Sequence, residues 1–160
     1  MKTYVVNWHG PFTDEEVENF NDAFGLYLIT GKLKSQKIGD IQYCGITERN
    51  LCDRLKCHHK KSLVSRDRQY WLGQIESSSR RLQRKDLELV ESLVIYFWQV
   101  ELNERKRKRA PERVVIVNRW FNKDGILRMR KTHIGQHLND VIFWDGEEWH
   151  LGNLKIYQNS

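Results

Sequence analysis

The sequence predicts an α+β fold, a small antiparallel sheet flanked by helices and followed by a β-hairpin extension. Three observations lead there. Two short apolar runs, Gly25 to Thr30 and Ile41 to Ile46, are separated by a stretch rich in Gly and Lys, which reads as two strands joined by a turn. Leu87, Val90, Val94, Phe97 and Trp98 recur at three- and four-residue spacings, the stripe of one helix face. Beyond residue 113 the pattern becomes that of strands, interrupted by Asn122-Lys123-Asp124-Gly125 and by Asp145-Gly146, both hairpin signals.

Taken in chain order, Thr13-Asp14-Glu15-Glu16 is a capping-box pattern that opens a short helix carrying Val17, Phe20 and Phe24. Gly31 and Gly39 mark the turn region between the first two core strands. From Glu48 to about Lys61, Leu51 and Leu55 repeat at helical spacing, and Arg54 and His58 keep that interval on a neighbouring stripe. Gln69 to Ile75 reads as a third strand. Ser77 to Arg81 is a polar break, and Asp86 opens the clearest helix. Residues 24–103 therefore read β-β-α-β-α. The strands expected after them are Val114–Trp120, Ile126–Lys131, Val141–Trp144 and Trp149–Tyr157. The organisation expected is a strand and helix flank over 1–23, a core over 24–103, and a basic, β-rich extension over 104–160 packed on that core as one domain.

Composition narrows the function. With 160 residues and 39% hydrophobic content, the chain can bury one good core. No run approaches the roughly 18 apolar residues of a membrane span, and the N-terminus lacks the apolar segment of a signal peptide. A soluble, intracellular, cytoplasmic protein is expected, with no membrane partner. Three cysteines without a C-x-x-C pair, Cys44, Cys52 and Cys57, argue against a disulfide framework and against a zinc ribbon. The net charge of +6 is unevenly spread. Residues 1–24 carry one Lys against five Asp/Glu, a net −4, whereas residues 103–131 carry eleven Lys/Arg against three Asp/Glu, a net +8. The densest part, Arg105-Lys106-Arg107-Lys108-Arg109, is either a solvated loop or a contact for a polyanion.

Within the core, Gly25-Leu26-Tyr27 and Tyr43-Cys44-Gly45 place a tyrosine beside a glycine in each hairpin strand; Arg54 and His58 follow, and then Glu91 stands in an otherwise apolar helical pattern. That order of parts resembles the GIY-YIG nuclease domain over residues 24–103. Leu26 and Cys44 stand where the family motif has Ile, and Arg54 lies one residue further from Tyr43 than the commonest spacing.

The residue types suit phosphodiester hydrolysis. A lone carboxylate such as Glu91 suits one hard divalent cation, Mg²⁺ or Mn²⁺, with Glu88 one turn earlier as its competitor. The planar guanidinium of Arg54 can clamp a phosphate. His58 can act as base, acid or donor, and His59 beside it can exchange roles with it. The resemblance implies a single-metal endonuclease acting on DNA ahead of RNA. In it Tyr27 or His58 activates water, Tyr43 supports Tyr27, Arg54 holds the scissile phosphate and Glu91 binds the metal. It further implies that Asn103 closes the domain. Arg105, Lys106, Arg107, Lys108 and Arg109, with Arg119, Arg128, Arg130 and Lys131, are the expected contacts to the nucleic-acid backbone. A compact restriction or mobile-element type enzyme fits a chain acting alone, and cutting both strands then calls for a homodimer, a second encounter or nicking. The alternatives are a catalytically inactive GIY-YIG-like nucleic-acid-binding module and a protein-interaction domain whose charge only solubilises it.

Other signals are weaker. Cys52 and Cys57 on one helix would point about 140° apart, too far to chelate together. His133 and His137 keep a helical interval, but Gly135 intervenes and the glutamate of a zinc protease is missing. Trp144 and Trp149 flank a turn and read as core residues or cross-strand hairpin partners ahead of the alternative, a base-stacking platform.

Overall fold

The computed structural model describes residues 1–20, 23–76, 81–129 and 139–154, with residues 23 and 24 placed by backbone. Its elements are β1 (Lys2–Phe12), α1 (Asp14–Val17), β2 (Ala23–Lys32), β3 (Asp40–Asn50), α2 (Leu51–Lys56), β4 (Arg66–Ile75), α3 (Arg84–Trp98), β5 (Val114–Phe121), β6 (Val141–Trp144) and β7 (Trp149–Gly152). The α+β class is as expected. The sheet is not the small antiparallel one: seven strands run in the order β3-β2-β4-β1-β5-β6-β7, and the pairing is mixed.

The difference comes from β1. Tyr4, Val6 and Trp8 alternate inward along it, so it needs cover on one face. It lies antiparallel to β4 and parallel to β5, and thereby joins the expected core sheet to the β-rich extension. One sheet thus runs through the flank, core and extension. Trp8 is fully buried, and its ring lies on Gly73, where a Cβ would come within 2.6 Å of it. Burying a tryptophan is worth roughly 5 kcal/mol before entropy is counted.

Successive strand residues point to opposite faces, and two cores result. Leu26 and Leu28 of β2 join Val6, Trp8, Cys44 and Trp71 beneath Leu87, Val90, Leu93 and Val94 of α3. Tyr27 and Ile29, between and beside them, join Tyr70 and Leu72 against Leu51 and Leu55 of α2 and Val17 of α1. A bulge between His9 and Phe12 carries Phe12 into this second core.

Helix ends follow local chemistry. Thr13 caps α1 as expected, with Glu16 N donating to Thr13 Oγ1 (3.3 Å) and Thr13 N donating to Glu16 Oε1 (3.2 Å). The helix lasts four residues, and Phe24 belongs to β2 instead. The helix expected from Glu48 to Lys61 shrinks to six residues, because β3 continues to Asn50 and the Asn50 side chain accepts from Cys52 N (2.8 Å). α3 begins at Arg84, two residues before Asp86, whose carboxylate reaches back to Gln83 N (2.9 Å).

After β5, Asn122 Oδ1 accepts from Asp124 N and Ile126 N and so forms the expected turn. The following strand is reduced, among the described residues, to one bridge between Phe121 and Leu127. β6 and β7 make the second hairpin, with Trp144 opposite Trp149 at 4.7 Å. β7 stops at Gly152, short of Tyr157, which lies outside the described residues, as do His133 and His137. Among the described residues, no helix is long and apolar enough to cross a membrane.

Candidate active site

The β2–β3 hairpin sets the tyrosines. Tyr27 pairs with Gly45 and Ile29 with Tyr43, so the two phenols are diagonal neighbours on one face, with ring centroids 6.0 Å apart. The register explains the glycine. A Cβ on Gly45 would lie 2.5 Å from both Cζ and the hydroxyl of Tyr27, whose ring rests directly on the glycine backbone. The two glycine-tyrosine motifs are thus one packing unit.

His58 completes an aromatic cluster from the far end of α2. It lies past the C-cap Cys57, so it does not share a helical stripe with Arg54 as the spacing predicts. Its ring meets Tyr43 edge-on at 4.5 Å and Tyr27 at 5.8 Å, while exposed His59 stacks on it at 5.7 Å. His58 Nδ1 accepts from Lys60 N (3.2 Å), which leaves the proton on Nε2 in the neutral ring. Nε2 is buried with no partner among the described residues, and so is the Tyr27 hydroxyl, which lies near that of Tyr43 without a well-formed hydrogen bond. Unpaired buried polar atoms are uncommon and costly. Here the rings that carry two of them meet edge-on at 5.8 Å.

The sheet ends at β3, and beside that edge a cleft of about 540 Å³ opens. Tyr43 and Ile46 line it from β3, Arg54 from α2, Glu88 and Glu91 from α3, and Asn103, Arg105 and Lys106 from the segment after α3. Tyr27 and His58 stand behind Tyr43. Asn103 seals the free edge much as another strand would, its Oδ1 accepting from Cys44 N and its Nδ2 donating to Cys44 O, both at 2.9 Å.

Charge in the cleft is unbalanced. No carboxylate pairs with Arg54 among the described residues, and its guanidinium acts electrostatically on Tyr27, Tyr43 and His58. Glu88 is half exposed and bound to Arg84 (2.8 Å). Glu91 is only 12% exposed and pairs with the ammonium of Lys106, fifteen residues on. Burial raises the Glu91 carboxyl above its usual range although Lys106 opposes that. Burial, then the Tyr43 charge, push the Tyr27 phenol far up, and burial also raises Tyr43 against the pull of Arg54. Burial, followed by Arg54 and His59, drives His58 down to about 4, so it is neutral at pH 7.

No family model, curated protein or solved structure matches this chain. What the site can do is a matter of its own geometry and charge.

Five side chains named from the sequence, Tyr27, Tyr43, Arg54, His58 and Glu91, converge at one edge of the sheet from β2, β3, α2, the turn after it and α3. The basic residues divide. Arg105 and Lys106 line the cleft, and Arg109 borders an adjoining groove with Lys2 and Lys85. Arg119 pairs with Glu76 (3.2 Å) on β5, four strands from β3, and Arg128 donates to Gly10 O (3.0 Å) over the Trp71 ring. The structure does not bring these two to the cleft. Arg130 and Lys131 lie outside the described residues. One feature had no signal in the sequence: Lys106 as the partner of Glu91.

Glu91 alone supplies carboxylate oxygens deep in the cleft, and among the described residues no three His, Cys, Asp or Glu side chains gather into a metal cage. One carboxylate in an open cleft lined mainly by charged and polar side chains would suit a hard divalent cation that keeps several waters.

Proposed function

We propose that the protein is a divalent-metal-dependent endonuclease, cutting DNA phosphodiester bonds at a GIY-YIG-like site on the free edge of the sheet. The observation that supports it most is the convergence of Tyr43, Arg54 and Glu91 on one cleft, backed by Tyr27 and His58, each with a buried polar atom in want of a partner. Arg54 would hold the scissile phosphate through paired N–H donors. Glu91, with phosphate oxygens, would hold one Mg²⁺ or Mn²⁺, which when bound supplies positive charge at the phosphate.

The tautomer of His58 supports Tyr27 over His58 as the base. Its Nε2 already carries a proton, so His58 suits donation to a phenol oxygen or to phosphate, and Tyr27, behind Tyr43, remains as the group that would take the proton of water, relayed through the Tyr43 hydroxyl at the cleft. That role requires Tyr27 to lose its own proton first. Arg54 is the described group that favours this. Cleavage should therefore climb about tenfold per pH unit between roughly 7 and 9, where a buried phenol is only fractionally ionised. A His58 base, titrating at about 4, would leave the rate flat over that range.

The reading as an inactive binding module draws on one observation, that Lys106 already neutralises Glu91. Supercoiled plasmid decides between them. Incubated with Mg²⁺, the protein should give nicked or linear product, and neither with EDTA nor in Glu91→Gln should product form. Intact plasmid under all conditions, with salt-sensitive binding retained, would favour the module. Loss of binding as well would remove nucleic acid from the account.

A further inference from the structure

Lys106 reaches Glu91 in an unusual way. Its backbone is left-handed (φ 67°), a conformation that non-glycine residues seldom hold without a reason. This bend turns the basic run back along α3, so that the ammonium meets Glu91 and approaches Glu88 O (3.4 Å). The neighbours Arg105 and Arg107 do not bond Glu91; Arg107 donates to Glu101 O instead. One member of a five-residue basic run is thus singled out, and it stands where Glu91 would take up a cation.

On the reading above, we propose that Lys106 is a positioning residue of the active site: it holds Glu91 until a divalent ion arrives, and it is exchanged for that ion. A carboxylate as buried as that of Glu91 needs a counter-charge. Lys106 supplies it before the metal binds, and a dication cannot share the carboxylate at close range with an ammonium. Displaced, the ammonium still belongs to the cleft wall that it lines with Arg54 and Arg105, where it faces the phosphate. The exchange makes metal affinity depend on a residue that is no metal ligand.

Mn²⁺ binding to the purified full chain without nucleic acid tests this. Free Mn²⁺ would be followed by electron paramagnetic resonance in wild type, Lys106→Met, Lys106→Arg and Glu91→Gln, each checked for an intact melting transition. Lys106→Met should bind about tenfold tighter than wild type, while Lys106→Arg stays within about threefold. Glu91→Gln should abolish binding, alone or with Lys106→Met. Equal or weaker binding by Lys106→Met, with Glu91 still required, would overturn the exchange and leave the metal site standing. Binding that survives Glu91→Gln would remove the metal site and the exchange with it, and no binding by wild type and Lys106→Met alike would overturn the exchange, because removal of the ammonium would then have freed no carboxylate for the ion.

Discussion

Tyr27 and Tyr70 are both fully buried on the same face of the sheet, in the same core, yet their hydroxyls have opposite fates. Tyr70 donates to Asp14 Oδ1 at 2.6 Å, and Arg68 grips the same carboxylate through Nε (3.1 Å) and Nη2 (2.9 Å) while also donating to Lys61 O (2.9 Å). Although burial works against it, Arg68 and Tyr70 hold the Asp14 carboxyl below its usual range. Among the described residues Tyr27 has no such partner, and neither does the Nε2 of His58. The same helix α3 repeats the contrast. Asp86 is fully buried and satisfied by Tyr4 (2.6 Å) and Gln83, whereas Glu91 is held by a single lysine from a basic run. A satisfied buried polar group belongs to the fold. An unsatisfied one, beside a cleft and an arginine that pairs with no carboxylate among the described residues, is the kind of group that the proposed reaction would use.

If that division is right, substitutions in the two regions should separate stability from activity. The largest effect is expected at Arg54, which is exposed and bonds no carboxylate among the described residues. Arg54→Ala should lower plasmid cleavage by about a thousandfold while the melting temperature hardly moves. A comparable loss of stability would place Arg54 in the fold instead. His58 comes next. Its folded pKa of about 4 lies below the ordinary 6.5, so the unfolded chain binds the extra proton first as pH falls. Stability should be full above about pH 6.5 and should fall by up to roughly 3 kcal/mol as pH drops to 4. Urea titrations of wild type and His58→Gln across that range measure it, and identical pH profiles would refute the assignment.

Asp14→Asn should cost about 1–2 kcal/mol in the same urea titration, since Arg68 and Tyr70 lose their shared acceptor charge at a partly exposed site. Folded protein should keep its cleavage rate. The smallest effect divides the basic residues. Arg105→Ala, in the cleft wall, should lower the salt slope of DNA binding by about one, and Arg119→Ala should not change it. Equal effects would carry the substrate across the sheet as far as β5.

Much of the site was legible because its parts are local. Two tyrosines beside glycines on adjacent strands need only a hairpin register to meet, and Arg54, His58 and Glu91 stand on or next to elements whose apolar spacing is clear. The helix holding Arg54 came out too long, because the pattern Leu51, Leu55 says nothing of where β3 ends, and the Asn50 cap ended it early. The sheet was underestimated for a different reason. Alternation in β1 reveals a half-buried strand, but whether its neighbours are β4 and β5 or solvent is decided by pairing with residues far along the chain, such as Val6 with Ile75 and Lys2 with Val114. Lys106 was invisible among five adjacent cations until the backbone turned one of them toward Glu91.

The most direct measurement is cleavage by Tyr27→Phe, with the melting temperature of the same preparation and Tyr70→Phe as its control. Removal of one unpaired buried hydroxyl should leave Tyr27→Phe as stable as wild type or about 1 kcal/mol more stable, with cleavage down by about a hundredfold, while Tyr70→Phe loses about 1 kcal/mol and keeps its rate. Wild-type cleavage by Tyr27→Phe, or a loss of stability matching that of Tyr70→Phe, would mean that Tyr27 is another core residue and that the edge of the sheet is not an active site.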